Sequence, residues 1–205
     1  MTNPHVPQEI TKPKLLIGEG IDELRFFKAL LKFLDITHIQ VEQYGGKDKL
    51  SNYLRGLSKR PGYQELESLA IFRDADQNAQ SAFQSVEYYL KATQLASPNK
   101  SGQFAEGKPR VGVFILPDGV NPGMLEDVCL AAVQSSKEMT CVDQYFQCLA
   151  STTQKQPRHL SKARVHAWLS SQIEPDKRLA EAAAAGYWPW ESQAFDSIKQ
   201  FLRAL

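Results

Sequence analysis

Short apolar runs alternate with amphipathic segments over the first two thirds of the chain. Residues 14–18 form a compact apolar run that stops at Glu19-Gly20. This reads as a buried strand followed by a turn into a helix. The helix, over 21–35, sets Leu24, Phe27, Leu31 and Leu34 at helical spacing, and Phe26, Leu30 and Phe33 widen the stripe. A face that wide suits a helix packed on a sheet. Residues 38–44 alternate into a second strand closed by Gly45-Gly46, and 47–57 form a helix ended by the turn signal Arg60-Pro61-Gly62. A third strand, 66–72, stops at Arg73-Asp74-Ala75-Asp76, and a helix over 78–94 follows. Residues 97–109 are rich in Ser, Gly, Pro and Lys and read as an exposed loop. The fourth strand, 111–116, is the most apolar. It is stopped by Pro117-Asp118-Gly119, and a turn at Asn121-Pro122-Gly123 leads into a helix over 124–133.

Strands and helices alternating at this period predict βαβ units. The expected fold is α/β and Rossmann-like, with a mostly parallel central sheet of about four strands flanked by helices. From about residue 140 the strand signal ends, and 142–150, 160–171, 179–185 and 195–205 read as helices. The expected organisation is a flexible lead-in over 1–13, an α/β domain over 14–135, and a helical C-terminal extension over 136–205 packed on the same domain.

Composition narrows the function classes. A net charge of +1 gives no overall push toward nucleic acid or an anionic membrane, so any basic surface is local. Lys91, Lys100, Lys108 and Arg110 around the long loop form one such patch. Cys129, Cys141 and Cys148 are an odd count without C-x-x-C spacing, which argues against a disulfide framework or a zinc site. They read as buried small hydrophobes in a reducing compartment. No apolar run nears the roughly 18 residues a membrane span needs, and the opening residues lack an apolar signal core. No membrane partner and a cytoplasmic location are therefore expected.

The acids that fall at strand ends carry the chemistry. Glu19 and Glu23 follow the first strand, Asp74 and Asp76 the third, and Asp118 the fourth, while Glu126 and Asp127 open the next helix. Glu19 and Glu23 are four apart and share a helix side. Asp74 and Asp76 are two apart, so in extended backbone both face one way. In an open α/β sheet, ligands bind outside the carboxyl ends of the strands. Three to five carboxylates meeting there cannot all stay ionised unless their pKa values rise or a cation enters. Oxygen-only ligands favour Mg²⁺ or Mn²⁺. The plain alternatives are turn acids and first-turn helix charges, and for Asp22 and Asp127 a solvated face. Arg73 could reach a phosphate or pair with Asp22 or Asp76. The four histidines lack metal-ligand spacing and read as structural, and Trp168, Trp188 and Trp190 read as core or packing edge.

Glu19-Gly20-Ile21-Asp22-Glu23 after a first strand and Asp74-Ala75-Asp76 after a later one resemble the Toprim domain of topoisomerases, primases and related nucleases. Gly123-Met124-Leu125-Glu126 is similar to the further acidic motif of the overcoming-lysogenisation-defect (OLD) nuclease branch. Lys162, in Lys162-Ala163-Arg164-Val165-His166-Ala167, is similar to that branch's late lysine, and Lys47 is a second basic candidate. The whole layout resembles the small stand-alone Toprim-like proteins of unassigned function. One departure is Glu23 where Asp is usual, with Asp22 beside it.

The resemblance implies a Toprim fold and metal-dependent phosphoryl chemistry on DNA or RNA. The implied metal ligands are Glu19, Glu23, Asp74, Asp76, Glu126 and Asp118. Glu19 is ligand or general base, and Lys162 or Lys47 stabilises transition-state charge. No G-x-x-x-x-G-K-[ST] occurs, so nothing here hydrolyses ATP, and a partner ATPase or a defence or repair protein is the implied associate. The leading expectation is a Mg²⁺-dependent nuclease. The alternatives are a non-catalytic metal- or nucleic-acid-binding module of a larger assembly, and a phosphatase-like or phosphotransfer protein acting on small substrates.

Overall fold

A computed structural model of the protein describes residues 9–205. Of the expected lead-in, residues 1–8 lie outside the described residues, and the rest is tied down. Ile10 is buried and its N–H donates to the Pro61 carbonyl at 2.9 Å, while the Thr11 N–H donates to Gln40 Oε1 at 2.8 Å.

Five strands form one sheet: β1 (Lys14–Gly18), β2 (Ile39–Gln43), β3 (Ser68–Asp74), β4 (Gln103–Ala105) and β5 (Arg110–Leu116). Their order is β2-β1-β3-β5-β4, parallel throughout except for the β4–β5 pair. The architecture is α/β and compatible with a Rossmann-like fold, with one strand more than the hydrophobic pattern predicts.

The extra strand, β4, lies in the segment expected to be an exposed loop. Three residues of ordinary propensity do not make a strand on their own; tertiary packing makes this one. The Phe104 ring stacks on Phe201 at 4.6 Å and carries the Arg110 guanidinium 4.2 Å above it. Gly112 on β5 permits this approach, since a Cβ there would stand 2.3 Å from the Phe104 ring. Arg110 also donates to the Ala204 carbonyl at 2.7 Å, so it pins the final helix rather than serving a surface patch.

The helices are α1 (Ile21–Phe33), α2 (Leu50–Leu57), α3 (Ala79–Ala92), α4 (Leu125–Val133), α5 (Lys137–Thr153), α6 (Leu160–Leu169), α7 (Leu179–Ala184) and α8 (Asp196–Ala204). Alternate residues of each strand feed two cores. Leu15, Ile17, Leu69, Ile71, Val111, Val113 and Ile115 pack with α2 and α3 on one face. Leu16, Ala70, Phe72, Phe114 and Leu116 pack with α1, α4 and the late helices on the other. Trp168, Trp188 and Trp190 belong to that second core, with the Trp168 and Trp188 rings stacked at 4.9 Å. Removing a buried aromatic of this kind costs about 3–5 kcal/mol.

Helix α5 is much longer than the expected 142–150, because Ser136 caps it by accepting from the Met139 N–H at 3.3 Å. Most of it is exposed, which leaves Cys141 and Cys148 at the surface; only Cys129 is buried as expected. At the β2 edge the side chains of Glu42 and Arg60 are both about nine-tenths buried and form a two-pronged ion pair at 2.6 and 2.9 Å. The Tyr53 hydroxyl and the Gln40 amide donate to the same carboxylate. A charge so buried persists only when paired and hydrogen-bonded on this scale.

Candidate functional site

The parallel strands β1, β3 and β5 end on one edge, and each is followed there by polar residues. Glu19 leaves β1 directly. Its carbonyl accepts from the N–H groups of Gly45 and Gly46 at 3.0 and 2.9 Å, and its Oε1 accepts from the Lys47 N–H at 3.2 Å. The double glycine after β2 makes this possible, because both residues have positive φ. Glu23 folds back to cap its own helix, accepting from the Gly20 N–H at 2.8 Å.

Asp74 is the last residue of β3 rather than a residue beyond it, since Arg73 and Asp74 still pair with Ile115 and Leu116. Its Oδ1 accepts from the Leu125 N–H at 3.1 Å, at the start of α4. Asp76 does not continue the extended backbone that the i, i+2 spacing assumed. Its φ of 52° turns the chain, leaving Asp76 exposed while Asp74 is held in the crevice. The Asp76 turn is clasped to Gly123 by two backbone hydrogen bonds, at 2.9 and 2.8 Å. Lys47 Nζ stands 3.7 Å from Asp76, and Lys162 Nζ stands 3.7 Å from Glu126.

Electrostatics tie these residues together. Burial raises the Asp74 pKa well above its usual value, and the charges of Glu23, Glu126 and Glu19 raise it further. The Leu125 N–H opposes the shift only in part. Burial raises Glu19 too, reinforced by Glu23 and Asp76 and opposed by Arg73 and the Lys47 N–H. Burial likewise raises Glu126, against the nearby Lys162. Acids from the ends of β1 and β3 and the start of α4 therefore share one field.

Asp118 stands apart. Its carboxylate is exposed and taken up by its own turn, accepting from the Val120 and Asn121 N–H groups and the Asn121 side-chain amide at 2.7–3.0 Å. Although partial burial acts the other way, the Asn121 and Val120 donors hold its pKa below the usual value.

All the donors are carboxylate oxygens, which suits a hard divalent cation in chemistry and in charge. The set is not closed into a chelate, however. Among the described residues, no three His, Cys, Asp or Glu side chains stand close enough together to hold a metal ion.

Beside the acids runs a polar groove of about 720 Å³, lined by Lys47, Asp76, Pro122–Met124 and Asp127 on one side and residues 158–161 on the other. Asp127, expected on a solvated face, joins the two sides. It accepts from the Met124 N–H at 2.8 Å and from the Ser161 hydroxyl at 2.5 Å.

Over residues 13–205 the sequence matches the family described as "Protein of unknown function (DUF3226)". The chain belongs to this family. No curated protein sequence matches it. Among solved structures, a hypothetical protein of Pyrococcus horikoshii OT3 is similar in fold, with a TM-score of 0.65, 13% identity and 95% of each chain covered. The C-terminal region of the Burkholderia pseudomallei OLD protein is similar at a TM-score of 0.51 and 13% identity, covering 95% of this chain and 98% of that one. At such identity the likeness is one of fold.

The family match and both fold likenesses include the late helices, which bring Lys162 of α6, and Arg158 and His159 of the α5–α6 link, to this edge. Local pattern identifies Lys162 only through the OLD-like motif and gives no hint of Arg158. Nothing in residues 154–159 signals that the link between α5 and α6 returns to the strand ends. His159, read as structural, lines the groove, and Arg73 donates to the Ser85 hydroxyl at 3.0 Å rather than pairing with Asp22 or Asp76.

Proposed function

We propose that the protein is a Mg²⁺- or Mn²⁺-dependent enzyme acting on phosphodiesters of DNA or RNA, a nuclease on a Toprim-like fold. The observation that carries this reading is Asp74, half-buried at the end of β3 and pushed toward protonation by loss of solvent and by Glu23, Glu126 and Glu19. A divalent cation bound there would relieve that repulsion. Asp74, Glu19 and Glu126 would hold the ion only by drawing closer together than they now stand, with Glu23 and Asp76 at its margin; Asp118 is left out because its carboxylate serves its turn. When bound, such an ion offsets charge on a phosphate oxygen and lowers the pKa of an attacking water.

The protein's own groups supply the rest. Where Glu19 is not bound to the ion, its partial burial and raised pKa suit it instead to act as the general base that takes the proton from water. Lys47 and Lys162 are about half exposed and only loosely paired, so either can turn to a phosphate as charge builds there. Any coupling to ATP hydrolysis would come from a partner, an ATPase or a defence or repair protein, since the chain has no phosphate-binding loop of that type.

Plasmid nicking in Mg²⁺ or Mn²⁺, with Glu19→Gln and Asp74→Ala as controls, tests the proposal alongside calorimetric metal titration. Cleavage that both substitutions abolish is the expected result; a wild type that binds no divalent ion sinks it. The open arrangement of the carboxylates favours one second reading, a metal- or nucleic-acid-binding module without catalysis. Metal binding with no cleavage of DNA or RNA would select it. Turnover of p-nitrophenyl phosphate without DNA cleavage would move the site to small phosphate substrates.

A further inference from the structure

The groove beside the carboxylates has a composition of its own. Its lip carries Lys47 and Arg158; one side is knit together by the Asp76–Gly123 backbone pair, and the Asp127–Ser161 hydrogen bond joins it to the other. The anionic side chains in it are already engaged: Asp76 faces Lys47, and Asp127 accepts from Ser161 and from the Met124 N–H. Arg158 is exposed and, among the described residues, makes no hydrogen bond or ion pair. A planar guanidinium free at the lip of a polar cleft is suited to a two-pronged grip on a phosphate. Apart from the His159 imidazole, no aromatic ring among the described residues lines the groove, so these offer no platform for stacking bases. Its volume of about 720 Å³ lies within the range of clefts that hold a compact ligand, which corresponds to roughly one or two nucleotides and not a duplex.

We infer that this groove is a subsite for the sugar–phosphate backbone of one nucleic-acid strand, with Arg158 and Lys47 gripping phosphates next to the carboxylate cluster and no reading of bases. The inference rests on the proposed nucleic-acid function and adds strandedness, base indifference and a residue outside the acid motifs. Specificity for sequence, where present, arises elsewhere.

Fluorescence anisotropy of short oligothymidine and oligoadenine strands, measured in Ca²⁺ over a salt series, tests it. The wild type binds both strands within about threefold of each other, since backbone contacts carry no sequence information. Arg158→Glu weakens binding by about tenfold or more and flattens the log K against log salt slope by about one, while Arg158→Lys keeps most of the affinity. Arg158 is exposed, so circular dichroism of both variants should match the wild type. Arg158→Glu binding like wild type with an unchanged slope overturns the inference. So does a wild type that binds no strand, or that binds the matching duplex more tightly. Failure of nicking alongside Arg158-dependent strand binding would remove the nuclease reading and leave the groove standing.

Discussion

Oδ1 of Asp74 accepts a hydrogen bond from the Leu125 N–H at 3.1 Å, joining the end of β3 to the start of α4 across 51 residues of chain. The bond locates a carboxylate where burial and three other acids oppose its charge. A native pKa above the unfolded one means that the native state binds more protons in the window between them. Stability contributed by this group is therefore present at low pH and lost as pH rises through the raised native value. Asp74→Asn keeps an acceptor for Leu125 and removes the charge. The variant should melt higher than wild type in metal-free buffer at neutral pH, with the gap closing as pH falls toward about 4. Paired thermal melts across pH check this; a gap that does not vary with pH refutes it.

Divalent ions should reverse that ranking. Ligand bound only to the native state at a hundredfold excess over Kd adds about 2.7 kcal/mol. Mn²⁺ should raise the melting temperature of wild type and not that of Asp74→Asn. Because protons compete for the same carboxylates, the upshift should shrink as pH drops. Differential scanning fluorimetry with Mn²⁺ and EDTA arms reads both effects.

Gly18, the last residue of β1, sits against the first turn of α1. A Cβ at this position would lie 2.8 Å from Glu23 Cβ, the near end of that side chain and hard to move. Gly18→Ala should cost about 1–3 kcal/mol of stability by displacing the helix start. It should weaken Mn²⁺ binding as well, because Glu19 and Glu23 flank the shifted turn. Urea denaturation together with calorimetry separates the two outcomes.

Glu42, which pairs with Ile17 near the carboxyl end of β2, and Arg60 hold each other in a buried site beside Tyr53 of α2. Glu42→Ala strands the Arg60 guanidinium there, and loss of one member of a buried pair costs about 3–5 kcal/mol. Urea midpoints should fall accordingly.

Thiol chemistry gives a simple check on α5. Cys141 and Cys148 are exposed, whereas Cys129 is buried and its pKa is raised well above normal, chiefly by burial. Ellman's reagent should titrate two thiols in the native protein and the third only after denaturation.

Much of this was legible in the sequence because the signals are local. The β1 run ends where Glu19 begins, and helices α1, α3 and α4 follow their apolar stripes to within about two residues. The carboxylates at strand ends could be collected for the same reason: a strand's end shows in its own residues. What escaped depends on distant partners. Strand β4 exists through Phe201 and Gly112, and β3 runs on to Asp74 because β5 pairs with it that far. Asp76 leaves the extended path because Gly123 clasps its backbone, and no i, i+2 rule contains that. Arg158 is a surface arginine by every local measure, and only the return of the α5–α6 link brings it to the groove.

The Asp76–Gly123 clasp has a mechanical consequence. It rivets the loop after β3 to the loop before α4, so one side of the groove and one of the acids belong to a single stiff hinge plate. Widening the groove by moving residues 122–124 must drag Asp76, and with it the ion pair to Lys47. Any widening of the groove and any re-aiming of the charges beside it are thus one movement.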